Sequence, residues 1–586
     1  MKKGLKFLLA SLMMLSLVAC GDSNKSKFKA GTYEGTAQGF GGEIVATVVL
    51  GDEAIESITV VGEGETDGIG SVALEKLPAE MVAKQYVNVD TITGATVTSN
   101  AVVEAVTAAF KASGFDASKL VAIEGDSTAK TEETLEADIV IVGAGGAGMT
   151  AAIEAANAGK SVILVEKAPM SGGNTTRSTG GMNAAETKFQ AADGIKDSVA
   201  LFVEDTLKGG YEKNNPELVQ IMAGNSADAI DWLDSIGASL SDVGRAGGAS
   251  ADRSHRPVNE EGKILPVGTY LVPILQKTAE DAGVTFMYDT KATEIIMADG
   301  AAVGIKAEST DKNYTINSKA VVLTTGGFGG NHDMVVEYKA ELTGYVTTNA
   351  PTITGDGIKM GIAAGADTVD MTEIQIHPTV VQSNGAMITE SLRGDGAILV
   401  NVEGQRFTNE VLTRDVVSAN VIAQPESIAW LIVDAKMLEE STVIQGYVSN
   451  GYMIECADFK ALAELIGVEE AVITETMDNW NAAVAAGVDA DFGRGDMDTI
   501  KYNLEAAPYY AVKIAPGIHH TMGGLKINTN TEVISTEGNI IPGLFAAGEV
   551  AGGVHGGNRL GGNAVADIIV FGRIAGQNVA DFVDNQ

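Results

Sequence analysis

The clearest chemical signal in the sequence is a set of glycines between a strand-like run and a helix-like run. Gly143, Gly145 and Gly148 form a Gly-x-Gly-x-x-Gly pattern at this junction. In such a pattern the glycines allow a tight turn, a close backbone approach to a pyrophosphate and close packing of a helix whose first amides hold the phosphate. Glu166 ends the next strand-like run, about twenty residues on, where an acid accepts from a ribose hydroxyl. The segment therefore predicts a dinucleotide site.

Further glycines favour FAD over NAD as the dinucleotide. Residues 166–175 place a glycine turn right after the acid, close to where an isoalloxazine ring would lie. Glycines around Glu549 and at 561–562 precede a helix whose N-terminus can stabilise negative charge on a reduced flavin. The alternative is that these glycines only close turns. A non-covalent FAD site is predicted to include Gly143, Gly145, Gly148, Glu166, Lys167, Gly173, Asn174, Thr175 and Glu549.

The charge balance and the cysteine count exclude several classes of function. The chain carries 40 Lys and Arg against 77 Asp and Glu, a net charge of -37, which disfavours binding to nucleic acid or to an anionic membrane surface. A small anionic substrate would therefore need its own local cluster of arginines. The two cysteines form no CxxC or CxxCH, so we expect no metal site, iron–sulfur cluster or c-type haem.

The pattern of the first 27 residues predicts a targeting segment. A basic start and an apolar run end in Leu-Val-Ala-Cys20, which looks like a bacterial lipoprotein cleavage site. We expect a signal peptide over 1–19, a lipidated Cys20 and a linker over 20–27. The mature protein would then lie outside the cytoplasm, attached to the membrane only through its lipid anchor. The alternative is a plain secretory signal with an incidental cysteine.

The remaining pattern predicts an α/β protein with several domains. We expect a small α+β domain over 28–120, an acidic interdomain linker over 121–136 and a Rossmann-type FAD-binding domain over 137–370 and 521–586. An α+β capping domain over 371–520 would be inserted into the FAD-binding domain.

The small first domain contains a threonine-rich segment at 90–100, Asp-Thr-Ile-Thr-Gly-Ala-Thr-Val-Thr-Ser-Asn. It resembles the motif of FMN-binding domains that carry FMN on a threonine through a phosphoester, with Thr96 as the matching acceptor. A covalent bond would keep FMN on a secreted protein, where FMN could relay electrons in place of haem. The alternative is a turn that caps the helix starting near Ala101.

From about Ala137 onward the sequence resembles the soluble, periplasmic flavoprotein fumarate reductases of the succinate dehydrogenase/fumarate reductase flavoprotein superfamily. The matching stretches are residues 180–187, 375–379, 387–394, 413–415, 517–524 and 553–563. The resemblance implies that the protein reduces fumarate to succinate with hydride from N5 of FAD. It also adds Gly180 and Gly181 to the FAD site.

The resemblance further implies a proton route. Arg414 would be the proton donor, and Glu390 and Arg393 would relay protons to it. An arginine acid is unusual because the free guanidinium has a pKa above about 12. From the residues alone, a fixed electrostatic clamp is the more natural role for Arg414.

Five residues would hold the substrate according to the same resemblance. Arg559 and His519 would bind one carboxylate, since a guanidinium fork matches a carboxylate. His377 and Thr389 would bind the other, and Met387 would twist that carboxylate out of conjugation. Three arginines and two histidines would thus supply the local positive cluster that an anion requires in this acidic chain.

Several related functions stay open. The leading hypothesis is an extracytoplasmic electron sink in anaerobic respiration, with a membrane electron donor upstream. Another enoate (urocanate, acrylate, methacrylate or cinnamate) is the nearest alternative substrate; urocanate reductases depart from this pattern around His377 and Glu390. An alternative of another class is a non-catalytic flavin electron carrier.

Overall fold

A computed structural model describes residues 27–65, 70–92, 95–123, 130–495, 500 and 502–586. The predicted signal peptide and Cys20 lie outside these residues. Within them, no helix has the length and apolarity needed to cross a membrane. The same part of the chain contains no group of three or more His, Cys, Asp or Glu side chains placed to hold a metal ion. The chain forms two compact units.

The N-terminal unit is a three-stranded sheet with two helices. Its elements are β1 (Gly31–Gln38), β2 (Glu43–Leu50), β3 (Ile55–Val61), α1 (Gly70–Lys84) and α2 (Thr96–Ser113). The strands are antiparallel in the order β1-β2-β3, and alternate residues of β2 are buried, as expected for a sheet with one covered face. Helix α2 begins before the predicted start near Ala101. The side chain of Thr96 lies outside the described part of the chain.

The larger unit contains the described residues from Lys130 to Gln586, together with residues 70–72, 92, 95 and 96, so the first residues of α1 and α2 are counted with it. Its first strands are β4 (Thr131–Glu136), β5 (Ile139–Val142), β6 (Val162–Val165), β7 (Met182–Asn183), β8 (Asp242–Gly244), β9 (Ser254–Arg256), β10 (Thr285–Met287), β11 (Lys291–Ala298), β12 (Ala301–Glu308), β13 (Lys312–Asn317), β14 (Ala320–Leu323) and β15 (Thr368–Val369). The helices among them are α3 (Gly146–Asn157), α4 (Lys188–Ala192), α5 (Val199–Gly209), α6 (Pro216–Gly224), α7 (Ser226–Ser235), α8 (Val267–Asp281), α9 (His332–Tyr338) and α10 (Asp356–Ala363).

The next part of the chain forms a sheet and a hydrophobic core of its own. Its strands are β16 (Ile374–Val380), β17 (Ile398–Val400), β18 (Ala429–Asp434), β19 (Ile454–Cys456) and β20 (Tyr509–Thr521). Its helices are α11 (Ser391–Asp395), α12 (Arg414–Ile422), α13 (Ala435–Glu440), α14 (Thr442–Ser449), α15 (Phe459–Ile466) and α16 (Glu470–Ala486). The order is β16-β20-β18-β17, with β19 also paired to β20. Residues between 388 and 514 pack into this second core. The domain boundaries at 371 and 520 stay predictions.

The chain then returns to the first sheet. It does so through β21 (Gly524–Leu525), β22 (Glu532–Ile534), β23 (Ile540–Ala546) and α17 (Asn563–Asp584). The sheet has the order β10-β6-β5-β14-β23-β22, in which all neighbours are parallel except β22. Its central strands are fully buried apolar runs, as parallel strands covered on both faces require. The Rossmann-type fold class is confirmed.

Helix α17 crosses α3 closely because two of its residues are glycines. A Cβ at Gly576 would lie 2.4 Å from the main-chain oxygen of Ala151, and one at Gly572 would lie 2.8 Å from that of Ala147. The final helix thus packs directly on the helix that follows the glycine motif.

One part of the linker prediction over 121–136 is wrong. Residues Thr131–Glu136 form strand β4, which pairs in parallel with β13 at the edge of a four-stranded sheet. The strand has the sequence TEETLE, and most of its side chains are exposed. Because an exposed edge strand has no need of apolar residues, the hydrophobic alternation that would have revealed it is absent.

Candidate active site

The larger unit encloses a cavity of about 360 Å³ at the carboxyl ends of the parallel strands. Val142, Val165 and Thr324, at or just beyond the ends of β5, β6 and β14, line one side. Residues of the inserted segment between β16 and β20 line the other. Ligands of doubly wound sheets bind in this place, and the volume is ordinary for a small-molecule site.

The glycine motif forms the floor of the cavity. Gly143 has a φ of +106°, and a Cβ there would lie 2.6 Å from the oxygen of Thr324. A Cβ at Gly148 would lie 1.9 Å from the oxygen of Gly143, so the start of helix α3 lies against the turn. At Gly145, in contrast, a Cβ would meet no protein atom closer than 3.8 Å, because the residue faces the cavity. Gly145 precedes α3 and has no side chain to cap it, so the amide of Gly146 donates to the Oγ1 of Thr175 instead. The N-terminus of α3 lies at the cavity, where a helix N-terminus favours an anion.

Glu166 and Lys167 line the same cavity but already have protein partners. Glu166 accepts hydrogen bonds from the main-chain nitrogens of Ala144 and Ala168, each at 2.8 Å, and burial raises its pKa despite these bonds. The ammonium of Lys167 lies 2.8 Å from a carboxylate oxygen of Asp356. Direct contact of either residue with FAD stays a prediction.

The second predicted glycine turn lies next to Glu549. Asn174 donates to Glu549 at 3.2 Å, and the Oγ1 of Thr175 accepts from the nitrogen of Gly146 at 3.0 Å. Burial raises the pKa of Glu549, while a hydrogen bond from the nitrogen of Thr521 opposes the increase. The predicted residues Gly173, Gly180 and Gly181 also line the cavity.

This half of the cavity fits FAD. The open backbone at Gly145, the start of α3 at the cavity and the acid at the end of β6 are the features that a dinucleotide requires. In addition, the Oγ1 of Thr325 in the cavity wall is buried and has no hydrogen-bond partner among the described residues. Ten of the eleven residues predicted for the FAD site line this cavity, and the eleventh, Gly148, packs against the main chain of Gly143 instead.

The other half of the cavity is built around an arginine–carboxylate pair. Arg414 is the first residue of α12, and its Nε donates to the Oε2 of Glu390 at 2.6 Å. A cation is unfavourable at a helix N-terminus, so Arg414 does not stabilise α12 by its position at the start of that helix. Burial raises the pKa of Glu390, but the cations of Arg414 and Arg393 outweigh burial and bring it below its ordinary value.

Arg393 lies behind this pair and does not line the cavity. One of its terminal nitrogens is 4.0 Å from the Oε1 of Glu390, which is too far for a direct hydrogen bond. Burial lowers the pKa of Arg393 to about 10. Glu390 therefore lies between the two arginines, with a direct hydrogen bond to Arg414 and none to Arg393, and the roles of the three residues in proton transfer stay predictions.

Gln375, which the sequence did not single out, joins Arg414 to Arg559. Its Oε1 accepts from Arg414 at 3.0 Å and lies 3.4 Å from a terminal nitrogen of Arg559. Its Nε2 donates to the main-chain oxygen of Arg559 and to Asn558. Gln375 lies within a stretch that carried the family resemblance, two residues before His377, and that position is the only signal for its role.

Arg559 and His519 also line the cavity. No carboxylate lies within ion-pair distance of Arg559 in the described part of the chain, and its buried Nε has no hydrogen-bond partner there. Burial and the nearby Arg414 lower the pKa of Arg559 to about 9. His519 shares a 2.8 Å hydrogen bond between its Nδ1 and Thr348. Burial and Arg414 lower the pKa of His519 well below its ordinary value, so its ring is neutral.

His377 lies deeper than predicted. It is fully buried, is absent from the cavity wall, and its ring centroid lies 5.1 Å from that of His519. Its Nε2 has no hydrogen-bond partner among the described residues, and burial lowers its pKa well below the ordinary value. Thr389 and Met387 do line the cavity. The positive charge of the site therefore comes from arginines, and the histidines act as neutral hydrogen-bonding groups.

Two further residues near this wall gave no sequence signal. The hydroxyl of Tyr447 accepts from the main-chain nitrogen of Thr389 at 3.0 Å, and burial raises the pKa of Tyr447 to about 12. Arg177 lines the cavity and donates to the main-chain oxygen of Thr348 at 3.3 Å. Both roles depend on contacts between segments far apart in the chain.

Comparison with known proteins agrees with this geometry. Residues 138–565 match the FAD binding domain family, and residues 39–111 match the FMN-binding domain family. The NADH:fumarate oxidoreductase of Klebsiella pneumoniae is 41% identical over 97% of this chain, and the match covers 60% of that relative's length. The urocanate reductase of Eggerthella lenta is 36% identical over 94% of this chain and 92% of its own length. A solved structure, the open conformation of a flavocytochrome c3 fumarate reductase, matches with 43% identity and a TM-score of 0.64 over 77% of this chain and 79% of that one.

The fold, the cavity and the two domain matches define a flavoprotein oxidoreductase with an FAD-binding domain and an FMN-binding domain. The chain belongs to the family of FAD-dependent fumarate reductase flavoproteins.

Proposed function

We propose that this protein reduces fumarate to succinate outside the cytoplasm, with electrons reaching FAD through a covalently bound FMN. One observation carries the proposal. Beside a cavity half that fits FAD, Gln375 links an arginine–glutamate pair, Arg414 and Glu390, to Arg559, an arginine with no carboxylate partner in the described structure.

The site has the charge that an anionic substrate needs. The chain as a whole carries a net charge of -37, so an anion is repelled by most of the surface. Arg559 can bind a carboxylate, because its guanidinium is buried in the cavity wall and its Nε is unpaired among the described groups. His519 is held through Nδ1 by Thr348, which leaves Nε2 for the same carboxylate.

The reduction of a C=C bond needs a hydride on one carbon and a proton on the other. FAD, when bound, supplies the hydride. Arg414 would give the proton, and Glu390 at 2.6 Å would return a proton to its guanidinium, with Arg393 behind Glu390 as the next member. The 2.6 Å hydrogen bond between Arg414 and Glu390 would give this proton transfer a direct path.

A panel of substrates tests the proposal. Purified, flavin-loaded protein is mixed with a reduced dye, and dye oxidation is followed with fumarate, urocanate, acrylate, methacrylate and cinnamate. We expect the highest kcat/KM with fumarate. A higher value with urocanate would reject fumarate as the substrate, and activity with none would favour an electron carrier.

The position of His377 favours a second candidate, another enoate on the same scaffold. The family resemblance predicts that His377 and Thr389 bind the second carboxylate of fumarate, yet His377 is absent from the cavity wall. A substrate with one carboxylate and an uncharged second group would therefore also suit the cavity. The relation to a urocanate reductase supports keeping this candidate.

Thr96 as the FMN acceptor is supported by its place inside the FMN-binding domain match. With Thr96→Ala we expect FMN to be lost on denaturation, while dye-driven fumarate reduction through FAD continues. Thr91→Ala, at an exposed threonine of the same motif, is the matched control and should retain FMN. Loss of dye-driven turnover in Thr96→Ala would refute a pure relay role.

The lipid anchor is supported by the sequence around Cys20. Labelling with a radioactive fatty acid should mark the native protein and not Cys20→Ser. A labelled Cys20→Ser protein would refute this anchor, and an unlabelled native protein found in the cell exterior would indicate a plain secretory signal.

A further inference from the structure

A buried group of charges lies behind the substrate wall and outside the cavity. It consists of Arg406, Glu410, Asp489 and Arg494, here called the Glu410 cluster. Their side chains are between 0% and 6% exposed, and none of them lines the cavity. Buried ion pairs seldom stabilise a fold more than apolar packing would, because desolvation offsets their attraction. Fold stability alone is therefore a weak explanation for four such charges in one place.

Glu410 is the centre of the cluster. Its carboxylate accepts two hydrogen bonds from Arg406, at 2.9 and 2.8 Å, and one from Arg494 at 3.0 Å. Asp489 holds Arg406 from another side at 2.9 Å. Both guanidinium groups lie 4.7 Å from the ring of Trp480, so the aromatic ring fixes their planes as well.

The cluster holds Arg393 at both its side chain and its main chain. A terminal nitrogen of Arg393 donates to the main-chain oxygen of Glu410 at 2.6 Å, and Arg494 donates to the main-chain oxygen of Arg393. The remaining nitrogens of the Arg393 guanidinium, Nε and Nη2, have no hydrogen-bond partner among the described residues. Nη2 is the nitrogen that lies 4.0 Å from Glu390.

We propose that Glu410 is a positioning residue of the proton relay: its main-chain oxygen binds the guanidinium of Arg393, and its carboxylate holds Arg494 against the main chain of Arg393, which keeps Arg393 beside Glu390. The proposal rests on the proposed reductase function, since it assigns a role within that reaction. Glu410 itself touches neither the cavity nor the reacting atoms.

The charges that face Arg393 support this role. Burial lowers the pKa of Arg393, and the cations Arg414 and Arg494 add to the decrease. The carboxylates of Glu390 and Glu410 oppose it. If Glu410 were neutral, Glu390 would be the remaining carboxylate of these groups that faces Arg393. Arg393 would then lose its proton at a lower pH.

The test is the pH profile of kcat for dye-driven fumarate reduction by flavin-loaded protein. Saturating fumarate keeps Arg559 engaged, so that the profile reports the relay rather than substrate binding. Glu410→Gln keeps the main-chain oxygen that binds Arg393. It removes the charge, and with it part of the hydrogen bonding that the carboxylate accepts from Arg406 and Arg494. In this variant we expect kcat to decrease at a pH about one unit lower on the alkaline side of the profile, here called the alkaline limb. We also expect the solvent deuterium isotope effect on kcat to increase. Glu410→Asp, which keeps the charge, should restore the limb.

Asp489→Asn is the matched control, because Asp489 contacts Arg406 and not Arg393. It should lower thermal stability without moving the alkaline limb. Arg494→Gln gives an independent test with the opposite sign: removal of a nearby cation should move the limb to higher pH. That variant decides the matter if Glu410→Gln does not fold.

Two results would overturn the proposal. One is an unchanged alkaline limb and isotope effect in Glu410→Gln with reduced thermal stability, which is what a purely structural role predicts. The other is a shift in the same direction for Arg494→Gln as for Glu410→Gln. Failure of the proposed function differs from both, because the native protein itself would then fail to reduce fumarate. If another enoate proves to be the substrate, the same profiles are measured with that enoate.

Discussion

The two halves of the cavity differ in whether main-chain or side-chain atoms form their walls. The FAD half is mainly backbone: glycines, the start of α3 and main-chain amides. The substrate half is made of side chains from distant segments, among them Gln375, Glu390, Arg414 and Arg559. A side chain added at a glycine should therefore weaken FAD binding in the first half. Loss of a charge or a hydrogen bond should impair substrate reduction in the second half.

The largest effect is expected at Arg414. Arg414→Ala removes the proposed proton donor, so kcat should fall by about 10²- to 10⁴-fold while the FAD content is unchanged. Arg573→Ala is the matched control, because it also removes an arginine paired with a glutamate (Glu154, at 3.0 Å) but lies outside the cavity wall. Dye-driven turnover and the flavin absorbance of the purified proteins measure both quantities. Loss of FAD in Arg414→Ala would contradict the separation of the two halves.

The second effect is a steric one in the FAD half. Gly145→Ala adds a methyl group that meets no protein atom closer than 3.8 Å, so the thermal stability of the flavin-free protein should stay unchanged. FAD affinity should fall by about 10- to 100-fold, because forcing a methyl group into a filled contact costs about 1–3 kcal/mol. Gly224→Ala, at an exposed glycine in helix α6, should change neither property. FAD titration monitored by fluorescence decides the matter, and an unchanged affinity in Gly145→Ala would place the dinucleotide elsewhere.

The third effect is expected at Gln375. Gln375→Leu leaves Arg414 and Arg559 without their shared acceptor, which should lower kcat/KM for fumarate about tenfold, since a buried donor left unpaired costs about 1–3 kcal/mol. FAD affinity should be unaffected. A variant with native kcat/KM would show that the link between the two arginines is dispensable.

The smallest effect at neutral pH concerns Arg559. Its pKa of about 9 means that the cation is present below pH 9 and is lost as the pH rises through that value. The KM for fumarate should therefore be constant near pH 7 and about tenfold higher at pH 10, while FAD retention stays constant over the same range. Steady-state kinetics with fumarate against pH, alongside flavin absorbance, test this. A constant KM up to pH 10 would refute Arg559 as the main carboxylate ligand.

The same contrast explains what the sequence could predict. The strand, the glycine turn and helix α3 follow each other directly in the chain, so local pattern was enough to locate the FAD half. Gln375 and Tyr447 act through partners far away in sequence, and no local pattern reports such contacts. The neutrality of His519 follows from burial, which residue type alone does not reveal. Strand β4 was missed because an exposed edge strand lacks an apolar pattern.

The position of β23 and α17 in the chain has a consequence for the order of folding. Strand β23 pairs with β14 more than 200 residues earlier, and α17 packs on α3. The inserted segment between β16 and β20, in contrast, finds its sheet partners within one continuous stretch. During synthesis the inserted segment can therefore fold first, and the FAD-binding sheet must wait for the last strand and helix. Long-range pairing of this kind is slow, so we expect FAD to be acquired late, after the inserted segment has already folded.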